Sequence, residues 1–123
     1  MVIKGCEELV CLLVSASSGA QAAHQEVLDE WQPEAPPVTT LFAALGNRIA
    51  EEFGSAGVEA NRRSFSLIEH AMESGDQELV TAVATGLIEA LVTRTVQSEG
   101  LWNEMAPLLG PRSRHHAYAW LAT

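Results

Sequence analysis

The amino-acid sequence predicts an all-α protein, a single domain over residues 1–123 with about six to seven helices. The chain is 47% hydrophobic, and it contains only three Phe and one Tyr. A fraction dominated by Ala, Leu and Val favours helix over strand. Apolar residues recur at spacings of three and four, and Gly and Pro clusters separate these stretches. We therefore expect antiparallel helix hairpins that stack on one another or form an orthogonal bundle.

The first half of the chain predicts three helices. Residues 5–16 and 20–31 each have a helical apolar stripe, and Ser-Ser-Gly at 17–19 separates them. Three prolines in residues 32–38 forbid a helix and predict an extended connection. A third helix is expected over residues 41–53, with Thr39 or Thr40 as its N-cap.

The clearest pattern in the chain is a helix pair between Gly57 and Arg94. Residues 61–74 are amphipathic, and Gly75 and Asp76 are suited to end one helix and begin the next. The following helix, residues 77–92, has a wide apolar arc, which predicts a central position with more than one packing partner. Gly86 in this helix would allow close approach of a neighbour.

The C-terminal part predicts a short helix followed by a terminal one. Gly110-Pro111 is a strong stop and restart, because Pro in a first turn loses no needed hydrogen bond. In the terminal helix we expect Ala117, Trp120 and Leu121 to face inward. Arginines and histidines make this helix the basic end of the molecule.

Charge limits the range of partners. The net charge is -9, from 16 acidic and 7 basic residues, so binding to nucleic acid or to an anionic membrane is disfavoured and a basic partner is favoured. Between Gly5 and Asn47 there are six acids and no Lys or Arg. A solvated acidic face without a partner is the alternative interpretation.

Localisation and redox state follow from the N-terminal residues. Cys6 and Cys11 lie too far apart on one helix for a disulfide, which predicts two reduced thiols that pack as small hydrophobes. Residues 9–14 faintly resemble the apolar part of a secretory signal, but the acidic Glu7 and Glu8 before them argue against export. We expect a cytoplasmic protein, and no stretch long enough to span a membrane.

No pattern of catalytic residues stands out, so we expect a protein that is not an enzyme and that needs no cofactor or metal. His115-His116 side chains point about 100° apart on a helix, which suits a solvated surface better than a shared ion. Glu69, His70 and Glu73 could support acid-base chemistry or hold a metal ion, but without a second set of ligands the exposed face of a surface helix explains them better.

Two parts of the chain resemble known families. The phrase SGDQELVTAVATGLIEAL resembles the helix pairs of HEAT repeats. LFAALGNRIAEEF after Thr40, ESGDQELVTAVATGLIEAL and LLGPRSR together resemble a family of small acidic all-helical bacterial domains of unknown function, related to immunity proteins of polymorphic toxin systems. The resemblance implies that the protein binds and silences a toxin domain, and it implies no catalytic residue.

We therefore predict an immunity-type protein whose acidic surface binds a cognate toxin, with a non-catalytic helical scaffold or adaptor as the alternative. Trp31 is an aromatic residue among acids, a combination suited to anchoring a basic partner. The predicted partner-binding residues are Asp29, Glu30, Trp31, Glu34, Glu69 and Glu73.

Overall fold

The fold consists of helices joined by short connections. The structure is a computed structural model that describes residues 2–123, and these residues form eight helices and no strand. The helices are α1 (Cys6–Ala16), α2 (Ser18–Trp31), α3 (Val38–Glu51), α4 (Phe53–Ala56), α5 (Val58–Met72), α6 (Gln77–Val96), α7 (Leu101–Met105) and α8 (Pro111–Leu121). The all-α class is confirmed. The number of helices is slightly larger than predicted, because the short helix α4 follows α3 where we expected α3 to continue.

Helix α6 lies at the centre of the core, as its wide apolar arc predicts. It packs most extensively against α3, and less extensively against α5, which precedes it in the chain, and against α8. Its fully buried apolar side chains are Leu79, Val83, Leu87, Ile88, Leu91 and Val92. The main partner of α6 is therefore a helix distant in sequence rather than the other member of the predicted hairpin.

Glycines bring α3 and α6 close together. A Cβ atom at Gly46 would overlap the carbonyl oxygen of Leu87, and one at Gly86 would lie 2.9 Å from Cβ of Phe42. The expected close approach at Gly86 is confirmed. At this contact α6 is π-helical over Val83–Ile88, a local widening that the sequence pattern does not predict.

Of the N-caps predicted for α3 and α6, the structure confirms the one of α6 and not the one of α3. Asp76 caps α6, because its Oδ1 accepts a hydrogen bond from the Leu79 backbone N–H at 3.2 Å, and Gly75 before it has a left-handed φ of 79°. The expected cap by Thr39 or Thr40 is wrong. Helix α3 begins earlier, at Val38, and its N-terminus has no side-chain cap.

Helix α6 also corrects the expectation that no stretch is long enough to span a membrane. By length and composition alone Gln77–Val96 could cross one, with a mean hydropathy of 1.5 over its most apolar window. More than half of that window, 56%, is buried inside the protein. Its apolar character is thus accounted for by the core position of the helix.

The terminal helix α8 begins at Pro111 as predicted, with Gly110 as its N-cap residue. Ala117 is buried against the rest of the protein. The inward orientation expected for Trp120 and Leu121 is wrong, since they are 38% and 40% exposed. Trp120 instead lies at the edge of α6, where its indole N–H donates a hydrogen bond to Oγ1 of Thr93 at 3.1 Å.

Candidate protein-binding surfaces

The predicted partner-binding residues fall into two groups. Asp29, Glu30 and Trp31 form the last turn of α2, and Glu34 follows in the next turn, where its backbone N–H bonds to the Trp31 carbonyl at 2.9 Å. We call these four residues the acidic end of α2. Their three carboxylates are exposed and Trp31 is half-buried. Glu69 and the residues near it lie on α5, which packs against α1 and α8, whereas α2 packs against α1 and α3.

The acidic segment before Asn47 is not free of basic groups once the chain folds. Arg48 on α3 donates a hydrogen bond to Oε1 of Glu26 at 2.7 Å, and it lies 3.8 Å from Glu52. The hydrogen bond to Glu26 is the main cause of a raised pKa of Arg48. The middle of α2 is therefore partly neutralised, and the uncompensated negative charge of this helix lies at its acidic end.

Glu69 has a structural role that the sequence did not indicate. Its carboxylate accepts hydrogen bonds from the backbone N–H groups of Arg112 and Ser113 at 3.0 and 2.9 Å, and from the Ser113 hydroxyl at 2.8 Å. It caps the N-terminus of α8, where negative charge is stabilising. A Cβ at Gly110 would overlap this side chain, so the Gly-Pro pair makes room for a carboxylate from another helix.

Glu73 has no comparable role. It is exposed, at the end of α5, and its carboxylate lies 3.7 Å from Nδ1 of His70. Within residues 2–123, no group of three or more His, Cys, Asp or Glu side chains is arranged to hold a metal ion. The two predicted site residues in this region thus differ: Glu69 positions α8, whereas Glu73, the residue after α5, is exposed.

An apolar cavity of about 310 Å³ opens between α1, α2 and α3, and the sequence pattern does not predict it. We call it the α1–α3 cavity. It is lined by Val10, Val38, Leu41 and Phe42, by Cys6 and Cys11, and by Glu7 and His24. Both cysteines are free, as predicted, but the expectation that both are buried is wrong because Cys11 is exposed.

The two thiols that line this cavity differ in their surroundings, and we expect iodoacetamide to modify Cys11 at least about threefold faster than Cys6. Burial raises the pKa of the Cys6 thiol, and the negative charges of Glu78 and Asp76 raise it further. Less Cys6 is therefore present as the reactive thiolate. Mass spectrometry of quenched time points at mildly alkaline pH measures both rates.

Glu78→Gln provides the control for this reactivity, since it removes one of the two charges without touching the Asp76 cap of α6. We expect the variant to react faster at Cys6 and unchanged at Cys11. Equal rates for the two cysteines in the original protein would contradict the different surroundings that the structure gives them.

A second exposed surface lies toward the C-terminal end of the chain, and a basic residue, Arg114, lines its groove. Trp102 and Tyr118 meet edge to face with ring centres 5.9 Å apart. They line a groove of about 330 Å³ together with Pro107 and Arg114. Residues 105–123 contain two Arg and two His but no Asp or Glu. We call this surface, with the exposed Trp120 and Leu121 beside it, the aromatic end.

The described residues thus define a small acidic all-helical protein with an acidic, apolar-lined surface at one place and an exposed aromatic surface at another. The chain belongs to the family described as Domain of unknown function (DUF7674), whose model matches residues 12–122. No curated protein and no solved structure matches the chain.

Proposed function

We propose that this protein is a cytoplasmic immunity-type inhibitor that binds a cognate protein toxin and neutralises it by covering a basic active site or substrate cleft. The observation that carries the proposal is the acidic end of α2, where three exposed carboxylates lie within three residues of the half-buried Trp31 along the chain. Complementary charge accelerates association and rejects wrong partners, while a buried aromatic anchor supplies affinity.

The hydrogen bonds within the protein support fewer partner-contact residues than the six that the sequence suggests. Glu69 is engaged with the start of α8 and contributes to the proposed function by positioning that helix. Asp29 accepts hydrogen bonds from the side chains of Gln25 and Gln32, which are exposed beside it. These bonds hold its carboxylate in place but leave it exposed, so it can still meet a cation of the partner.

Co-expression with the product of the neighbouring upstream gene tests this function. We expect that product to be toxic alone and harmless when this protein is present. If the product is harmless alone, or remains toxic in the presence of this protein, the inhibitor proposal is wrong.

The acidic end of α2 is tested by charge reversal of Asp29, Glu30 and Glu34 to Lys. We expect the rate constant for association with the toxin to fall at least about tenfold, with a weaker salt dependence. The control reverses the exposed Glu59, Glu99 and Glu104, which changes net charge equally. If both triple variants lose the same fraction of the association rate constant, only the net charge of the protein matters and the acidic end of α2 is not the contact site.

A non-catalytic adaptor is the second candidate, and the aromatic end favours it. Two surfaces of different chemistry on one domain, one acidic and one aromatic, suit a protein that joins two others, and stacking of the helix pairs in a HEAT-like manner would present such surfaces. Affinity purification from the native cell separates the two functions. Recovery of housekeeping proteins without a toxin would support the adaptor.

A further inference from the structure

The α1–α3 cavity has the features of a pocket for one apolar side chain. Val10 and Phe42 in its lining are buried. Leu41 is half-buried and Val38, at the start of α3, is 41% exposed at the edge of the cavity, so these two residues contribute exposed hydrocarbon. A volume of about 310 Å³ lies at the small end of the range for binding pockets. Burial of an apolar group there would remove exposed hydrocarbon of both molecules from water.

Negative charge surrounds this apolar lining. Glu7 itself lines the cavity, and Glu78 lines an adjoining depression that shares Val38. Glu78 and Asp76 are also near enough to Cys6 to raise the pKa of its thiol. No Lys or Arg lines either space. The apolar group that fits this cavity would therefore be flanked by positive charge.

The cavity and the acidic end of α2 lie along the same flank of one helix. His24, which lines the cavity, and Trp31 are seven residues apart in α2, so they lie on nearly the same side and about 10 Å apart along the axis. Leu28 lies between them, and all three are half-buried. One partner segment can therefore reach both features.

We propose that the α1–α3 cavity receives an apolar side chain from a basic amphipathic segment of the toxin, whose Lys or Arg residues meet Glu7, Glu78 and the acidic end of α2. This proposal rests on the proposed function and assigns its main anchoring pocket. It corresponds to recognition of an amphipathic helix in a groove, in which apolar anchors recur at intervals of about one or two turns.

A synthetic helical peptide of Lys and Leu tests the pocket without the toxin, and a peptide with Glu in place of Lys is its control. Calorimetry is expected to detect binding of the Lys peptide only. The bound peptide should also slow modification of Cys11 by iodoacetamide at least about fivefold, because that thiol lies at the cavity. Equal binding of both peptides, or unchanged Cys11 reactivity, would overturn the proposal.

Val38→Gln and Val58→Gln form a matched pair for the location of the site. Each valine is exposed and is the first residue of a helix, but only Val38 lines the cavity. We expect Val38→Gln to weaken binding of the Lys peptide at least about fivefold and Val58→Gln to leave it unchanged. Equal affinities of the two variants would place the peptide elsewhere and overturn the proposal.

Two further outcomes separate this pocket from the proposed function. If Val38→Gln still neutralises the toxin with full affinity, the pocket is wrong and the inhibitor function stands. If the peptide results are as expected but no toxin is neutralised, the inhibitor function is wrong and the pocket serves another basic partner.

Discussion

Gly46→Ala is expected to lower the free energy of unfolding by about 2 kcal/mol. A Cβ at this position would overlap the carbonyl oxygen of Leu87 and come within 3.2 Å of the Leu91 backbone nitrogen. Backbone atoms of a central helix cannot rotate away as a flexible side chain can, so α3 and α6 must separate. The higher helix propensity of Ala offsets only part of this cost. Urea denaturation followed by circular dichroism measures the change.

Gly54→Ala is the matched control for this prediction. Gly54 also lies in a helix, but no atom is within 4 Å of the position of an added Cβ. We expect Gly54→Ala to leave stability unchanged or to raise it slightly, since Ala restricts the unfolded chain more than Gly does. A Gly46→Ala protein as stable as Gly54→Ala would refute the close packing of α3 on α6.

Glu69→Ala is the second substitution with a large expected effect, a loss of about 2 kcal/mol of unfolding free energy. The variant removes three hydrogen bonds to a carboxylate and leaves the first N–H groups of α8 without their cap. Glu69→Gln is expected to lose less, because an amide oxygen can still accept some of these bonds but carries no charge.

Glu73→Ala controls for the loss of a carboxylate at the C-terminal end of the same helix. Glu73 is the C-cap residue of α5 through its backbone N–H, which the substitution retains, and its side chain is exposed, so we expect the substitution to change stability by less than about 0.5 kcal/mol. If the two alanine variants unfold at the same urea concentration, Glu69 does not hold α8 in place. Toxin binding by a folded Glu69→Gln protein should then be compared with that of the original, since a contact role would lower affinity without lowering stability.

Local signals along the chain predicted the parts of the fold that depend on neighbouring residues. Gly75 and Asp76 lie between α5 and α6, where Gly75 has a left-handed φ and Asp76 bonds to the Leu79 backbone N–H. Pro111 begins α8, and this start also depends on local backbone geometry. The apolar period of α6 correctly indicated a central helix, because a helix with a wide apolar arc needs more than one packing partner to bury it.

The parts that sequence reasoning missed depend on residues far apart in the chain. Glu69 caps a helix that begins more than forty residues later, and no local pattern distinguishes it from the solvent-exposed Glu73. The α1–α3 cavity is a gap left where three helices meet, so its existence depends on how they pack. Trp120 and Leu121 occupy positions that the apolar spacing of the helix assigns to the core, yet they remain partly exposed at its edge.

If the proposed function holds, the burial pattern of α2 has a consequence for how such a domain can change its partner. Its buried residues are all small, namely Gly19, Ala20, Ala23 and Val27. Outward-facing positions on this helix can accumulate substitutions without disturbing larger core side chains, because surface changes away from caps and networks cost little. Selectivity for a partner can therefore diverge on α2 while the α3 and α6 core that gives the protein its stability is kept.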